Sequence, residues 1–380
     1  PWLASLLPAG IKQAGMGWGA LVLALSYLML LAQGLAAKGY CRGDAFVVGS
    51  IALIIAVIGL FVFFPVLSIL SSALQDDKGR WALGVFLDKI ADRSIWGLGC
   101  LGGGINCGVA WNTVFLGLAV GAGTTLLGLA FALVAVRTDF RYKGLMRALT
   151  VLPIITPPFV IGLAVILLFG RSGLVTGFLA EGLPDWLAIP RSRWIYGFPG
   201  VFMAQLLAFT PIAFLVLIGV VQGIAPSLEE ASQTLRASRL ATFRTITWPL
   251  MRPGIANAFL LGFVESLADF GNPLVLGGNF EVLSTKIFFA VVGAAQDQGK
   301  AAVLAIILLG FTLAAFWAQH RWLGRRSYTT VTGKGDAGLP VPLPGLVRNA
   351  CYGVAVPWAA LTIVIYGTIL FGALVKTVGR

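Results

Sequence analysis

The residues best suited to chemistry in this sequence are Glu265 and Asp269, with Asn272 close behind them. The two acids stand four apart in an apolar run, a spacing that puts both on one face of a helix. A charge in hydrocarbon costs at least about 2.5–3.5 kcal/mol, so such groups usually face a cavity or a partner. Two carboxylates and an amide along one stripe are oxygen donors, the ligand type that hard cations prefer. On that reading Glu265, Asp269 and Asn272 line a pathway, and the two acids hold a metal ion in transit. Pairing of both acids with Lys or Arg from another helix, or reach to the outer interface, is the alternative, and the sequence leaves it open. Other ligand sets are poor. His320 is the single histidine, and the four cysteines lack zinc-site spacing beside it. Cys100 and Cys107 share one loop, where a disulfide and two free thiols are both open.

No enzyme constellation is present. One histidine leaves little for a Ser-His-Asp site. Gly333-Lys334 lacks the upstream Gly and the following Ser or Thr of a phosphate-binding GxxxxGK[ST] loop. Gly97-Leu-Gly-Cys-Leu-Gly102 is formally GxGxxG, but a dinucleotide fingerprint also needs a flanking strand and helix and a downstream acid. A flexible loop is the better reading. The chain is expected to bind no cofactor of its own.

The elements that must position these residues are membrane spans. Hydrophobic residues make up 58% of the 380 residues and charged ones 11%, against about 25% charge in soluble domains. The net charge of +12 is scattered in short loops between apolar runs, which argues for orientation in a bilayer and against nucleic acid. Each span needs about 20 apolar residues. Runs of that kind predict an all-α, polytopic transmembrane bundle of about eight spans, near residues 17–36, 47–70, 112–136, 148–170, 198–224, 255–275, 301–317 and 350–375. Gly117 and Gly121, four apart, predict close helix approach in the third. Pro153, Pro157 and Pro158 interrupt the fourth, which places it inside the bundle or beside a pathway.

Between the fifth and sixth runs lies the most polar interval, Ser227–Ile255, read as helix, turn, helix. Ser227 and Glu230 have capping-box spacing. A second break is expected at Pro249, and the element is expected to end at Pro253-Gly254. Arg236, Arg239, Arg244 and Arg252 outnumber Glu229 and Glu230, which favours the cytoplasmic side. The loops that fall on the same side then hold most of the Lys and Arg, and Cys100 and Cys107 fall in the oxidising compartment. A short helix held there is suited to docking into a groove of a soluble partner.

The residue order of that interval resembles the EAA loop of binding-protein-dependent ABC importer permeases: Glu-Ala-Ala, three residues, Gly, nine residues, Ile, one residue, Leu-Pro. Glu230, Ala231, Ile246 and Pro249 match in register, while Ser232, Arg236 and Trp248 replace Ala, Gly and Leu. Leu267–Gly278 is similar to a segment of the ferric-iron permeases of that family, and the likeness extends from about Phe46 to the C-terminus.

That resemblance implies a type I permease fold, and a transport subunit without its own nucleotide site. Glu230, Ala231, Ser232, Arg236, Ile246 and Pro249 would couple it to cytoplasmic ATPase subunits, which hold ATP and Mg. A periplasmic binding protein would deliver ferric iron to a bacterial inner membrane. Residues 1–45 then read as an extra N-terminal span and loop. Residues 46–326 are a first permease half, with a five-span core at 112–317 and the EAA-like loop at 223–254. Residues 327–349 form a linker, and 350–380 the first span of a second half, carried by the same longer chain or by a second copy. The start at Pro1 without Met reads as a piece of a longer polypeptide. A phosphonate, a polyamine or thiamine is the alternative cargo. An ion-coupled secondary transporter is the more distant one.

Overall fold

The charge-free runs fold as helices, and no strand occurs among the described residues. A computed structural model describes residues 17–75, 80–102, 107–181, 193–294, 296–323 and 341–374. By its contacts the chain divides into Pro1–Ser72 and Ala73–Arg380.

In the first unit, α1 (Trp18–Ala37) and α2 (Ala45–Ile58) are joined by a tight turn in which Gly39, Cys41, Arg42 and Gly43 all have positive φ. Asp44 closes the turn. Its carboxylate accepts hydrogen bonds from the amides of Phe46 (2.9 Å) and Val47 (3.2 Å) and caps α2. A π-turn over Gly59–Phe63 leads into α3 (Phe64–Ser72). Pro65, which has no N–H and crowds the carbonyl four residues back, sits where that extra residue relieves it. Ala32, Ala36 and Val48 form a small buried contact. Most of the remaining apolar side chains are exposed, as lipid permits and water does not.

The second unit begins with α4 (Leu83–Ile90) and α5 (Arg93–Trp96), then α6 (Val109–Arg137), α7 (Lys143–Val151), α8 (Pro158–Phe169) and α9 (Leu174–Glu181). It continues with α10 (Phe198–Gln222), α11 (Pro226–Thr234), α12 (Arg239–Thr242), α13 (Trp248–Ala268) and α14 (Gly271–Leu276). α15 (Leu283–Val292), α16 (Gln298–Leu323) and α17 (Gly345–Leu374) complete it.

α6 is the central post. It is apolar all round and buried along most of its length, the signature of a helix surrounded by others. Gly117 and Gly121 take the role their spacing predicts. A Cβ at Gly117 would stand 2.5 Å from Leu267 Cδ1, and one at Gly121 would stand 3.0 Å from the Phe259 carbonyl of α13. Missing side chains let α13 come this close. One end of the bundle packs Phe131, Phe214, Leu217, Met251 and Ala355, and the other packs Leu116, Ile161, Val201, Leu207 and Leu276.

Two expectations change. The fourth span is not one helix. α7 passes into a 3-10 turn over Leu152–Ile155 and stops, and α8 restarts at Pro158 after an extended Thr156-Pro157. Thr156 Oγ1 shares a 2.8 Å hydrogen bond with the Tyr366 hydroxyl of α17, so another helix braces the break. The sixth run is also split. α13 ends at Ala268 and α14 is a separate short helix, so residues 255–275 are not one span. Among the described residues, seven helices are long and apolar enough to cross a membrane, and α13, carrying Arg252 and Glu265, is not one of them. By contacts, the first unit ends at Ser72, and α17 packs on α6 and α8 within the second unit. Residues 327–340 of the expected linker lie outside the described residues.

Candidate functional site

Two places carry the residues singled out by sequence, one at each end of α6. At its C-terminal end is the loop between α10 and α13. Pro226 occupies the first position of α11, with its fixed φ and missing N–H suited to a helix start, and Ala225 stands at the N-cap. The expected capping box of Ser227 and Glu230 is therefore not the start signal: Ser227 is already inside the helix. Glu230 and Ala231 are exposed. Ser232 points inward and shares a 2.8 Å hydrogen bond with Thr242 of α12, which holds the two short helices together.

α11 ends in a Schellman turn. The Ala237 amide donates to Ser232 O (3.1 Å) and the Arg236 amide to Gln233 O (2.9 Å), with Arg236 at φ 60°. Arg236 stands where the family pattern has Gly, and it adopts the left-handed conformation that favours Gly. The turn is kept at a cost of roughly 1–2 kcal/mol. Ser238 caps α12 through the Ala241 amide (3.3 Å). A π-turn over Phe243–Thr247, containing half-buried Ile246, then runs into α13 without a break. Pro249 is the second residue of α13 and Pro253 lies within it, so the element does not end at Pro253-Gly254 as expected. The π-turn accommodates Pro249, and Pro253 leaves the Pro249 carbonyl without its helical donor.

Sequence reasoning missed the acid that ties this loop down. Glu229 is 1% exposed and forms a buried ion pair with Arg137, the last residue of α6. Its other oxygen accepts from Thr247 Oγ1 (2.7 Å), and the Val341 amide donates to Oε2 (3.2 Å). α6 is held at the same point from other directions. Arg147 of α7 donates to Ala135 O (3.2 Å), and the Leu343 amide donates to Arg137 O (3.4 Å). The available signal was geometric: adjacent helical residues point about 100° apart, so of Glu229 and Glu230 one faces in when the other faces out. With Glu229 and Ser232 turned in, Leu228, Glu230, Ala231, Leu235, Arg236 and Leu240 form an exposed, mixed apolar and charged surface.

At the other place, α13 ends at Ala268 and Asp269 is its C-cap (ψ 120°), with the Asp269 amide still donating to Glu265 O (3.0 Å). Asp269 Oδ1 accepts from the amides of Gly271 (2.9 Å) and Asn272 (3.3 Å). Oδ2 accepts from Gln205 Nε2 (2.9 Å) and Asn272 Nδ2 (2.8 Å). Gln205 is held in turn by the Ser266 hydroxyl (2.7 Å), and Ser284 donates to the Asp269 carbonyl (2.7 Å). No Lys or Arg pairs with either acid among the described residues. Asp269 is thus the cap of a helix break, with four donors converging on it, and ligating an ion would require it to give donors up. Glu265 is half-buried and makes no hydrogen bond or ion pair among the described residues. Asn272 is fully buried, and its Oδ1 has no partner among the described residues. No group of three or more His, Cys, Asp and Glu able to hold a metal occurs among the described residues.

Cys100 and Cys107 lie before α6, at the end away from the loop, with their sulfurs bonded and their Cα atoms 4.9 Å apart.

The comparisons agree with this architecture. Residues 124–327 match the family described as binding-protein-dependent transport system inner membrane component. A putative ferric transport system permease protein of Haemophilus influenzae is 39% identical over 367 residues, 97% of this chain and 56% of that protein. The ferric transport system permease protein of Actinobacillus pleuropneumoniae is 39% identical over 98% of this chain and 52% of its own length. The chain thus spans about half the length of these two relatives. A molybdenum transport system permease protein of Escherichia coli is 31% identical over 57% of this chain and 94% of its own. In structure, a bacterial alginate ABC transporter, solved in complex with an alginate pentasaccharide-bound periplasmic protein, matches 75% of this chain and 96% of its own, with a TM-score of 0.57 at 16% identity. With its loop, its α6-centred bundle and these matches, the chain belongs to the binding-protein-dependent transport system inner membrane components and is a multi-pass membrane protein.

Proposed function

We propose that this chain is permease machinery of an ATP-binding-cassette importer for ferric iron in a bacterial inner membrane. The observation that carries the reading is the α11–α12 loop. It is tied to α6 through buried Glu229 and presents Glu230, Leu235 and Leu240 outward, as a surface for a soluble subunit to grip. Cytoplasmic ATPase subunits holding ATP and Mg would dock there, and a periplasmic binding protein would deliver the cargo at the opposite end. Residues 46–326 act as one permease half and residues 350–380 begin a second, which completes the pathway. The ferric assignment rests on the likeness to ferric transport permeases over nearly the whole chain. Glu265, which has no hydrogen-bond or ion-pair partner among the described residues, is the pathway acid. Asp269 and Asn272 set the shape of the break beside it.

The test is uptake of labelled ferric iron by iron-starved cells carrying the complete gene, its deletion, or a Glu265→Gln variant, each with its binding protein and ATPase. Deletion is expected to abolish uptake, and Glu265→Gln to reduce it severalfold with normal amounts of protein in the membrane. Uptake that survives deletion removes iron as cargo and leaves a permease for another solute of this class. Failure of the complete protein to hold any ATPase subunit removes the ABC reading and favours an ion-coupled transporter.

A further inference from the structure

We infer that Glu229 is the positioning residue that couples the docking loop to two moving parts at once, α6 and the chain leading into α17. This rests on the reading that an ATPase docks on the α11–α12 loop. Docking on an exposed surface moves the bundle only if the loop is rigidly joined to a span. Side chains on the outer face of α11 cannot make that join, because Glu230 and Ala231 are exposed.

Glu229 can. Its carboxylate contacts Arg137 at the end of α6, Thr247 at the entry to α13 and the amide of Val341. The chain at Val341 does not stop there. Leu343 is buried and its amide donates to Arg137 O, and two residues on, α17 begins. One side chain therefore ties the docking loop to the start of α13, the end of α6 and the approach to α17. A carboxylate buried to this degree, facing a guanidinium, resists separation far more than an exposed pair does. A push on α11 thus displaces these elements together. Arg137 Nε, buried with no partner among the described residues, leaves the guanidinium a further hydrogen bond to gain when the joint repacks.

The experiment uses the complete permease in lipid nanodiscs with its ATPase subunits. For each variant it measures ATPase affinity, thermal stability, and the ratio of ATPase rate with loaded binding protein to the basal rate. Glu229→Gln keeps the shape and removes the charge. It is expected to bind ATPase subunits within twofold of the native affinity while the stimulation ratio falls at least tenfold. Val341→Pro deletes only the amide donor and leaves the ion pair intact. It is expected to lower the ratio about threefold at unchanged affinity, and it decides the matter if Glu229→Gln fails to fold. Native stimulation in Val341→Pro, or in a folded Glu229→Gln protein whose only change is lower thermal stability, overturns the inference. Failure of the native permease to bind ATPase subunits is a separate result and strikes the docking reading itself.

Discussion

The two ends of the central helix bury an acid in opposite ways. Near its C-terminus Glu229 faces a guanidinium and draws together α6, α11, the start of α13 and the approach to α17. Toward the other end Asp269 meets no cation among the described residues, and backbone and side-chain amides surround it within three residues of sequence and from α10. A charge pair joins parts distant in sequence and costs much to break. An amide cradle fixes a local bend, here the stop of α13 and the restart at α14. The first arrangement suits a joint that must move as one body, and the second suits a fixed shape beside a path.

The largest expected effect tests the first arrangement. Arg137→Ala leaves Glu229 buried without its counter-charge and should destabilise the protein by about 3–5 kcal/mol, read as a large fall in melting temperature in nanodiscs. The double variant Arg137→Met/Glu229→Leu removes both charges and should recover most of that loss. If the single and double variants melt alike, the pair is not the joint, and the contrast with Asp269 collapses.

The second arrangement should break more gently. Asp269→Asn keeps one acceptor but turns an amide NH2 toward donors from Gln205 or Asn272. It should cost about 1–3 kcal/mol, the usual penalty for unsatisfied buried groups. Glu265→Gln, which loses no partner, should leave stability unchanged within about 0.5 kcal/mol. Thermal melts of the two side by side separate shape from pathway. A stability loss at Glu265 equal to that at Asp269 would mean both acids are structural.

Much of this was legible in the sequence, and what was not has identifiable causes. Charge-free runs located most of the spans, and Gly117 and Gly121 marked the close approach of α6 and α13. The EAA-like order placed the loop. Proline and helix-cap positions misled. Ser227-x-x-Glu230 spells a capping box, yet Pro226 claims the first helical position and moves the cap to Ala225. Pro253 reads as a stop, yet α13 runs through it and leaves the Pro249 carbonyl without its helical donor. The i, i+4 spacing of Glu265 and Asp269 matches the last helical bond of α13, from the Asp269 amide to Glu265 O, but nothing local announces that the chain leaves the helix there. That end is imposed by Gln205 and Ser284, distant in sequence. Glu229 went unnoticed for the same reason: its partners are Arg137 and Val341.

Within the loop itself a smaller effect sharpens the contrast between joint and surface. Arg236 holds a left-handed conformation at the exposed turn. Arg236→Gly should stabilise the protein by about 1 kcal/mol by relieving that strain, seen as a modest rise in melting temperature. If it destabilises instead, the Arg236 side chain is anchoring the turn, and the exposed face of the loop is less free than its burial pattern implies.

The smallest effect supplies the exposed counterpart to both buried acids. Asp297, just before α16, accepts from the Lys300 amide (2.8 Å) and from Lys89 Nζ of α4 (3.2 Å). Partial burial pushes its carboxyl up, but the Lys300 amide and the Lys89 ammonium outweigh that and hold it below the usual carboxylate range. A depressed folded-state value stabilises the protein above the unfolded carboxylate value of about 3.9, and that contribution is lost as pH falls through the lower folded value. Exposed pairs of this kind are worth about 0.2–1 kcal/mol. Asp297→Asn should therefore lower the melting temperature slightly at pH 7, with the gap to the native protein closing below about pH 4. Arg137→Ala, compared in the same way at pH 7 and at high salt, should keep its deficit while the Asp297→Asn gap shrinks, because salt screens exposed charges and leaves buried ones largely untouched. Equal salt sensitivity of the two variants would show that water reaches the Glu229 pair, and a joint open to water would not hold the loop, α6 and the approach to α17 as one body.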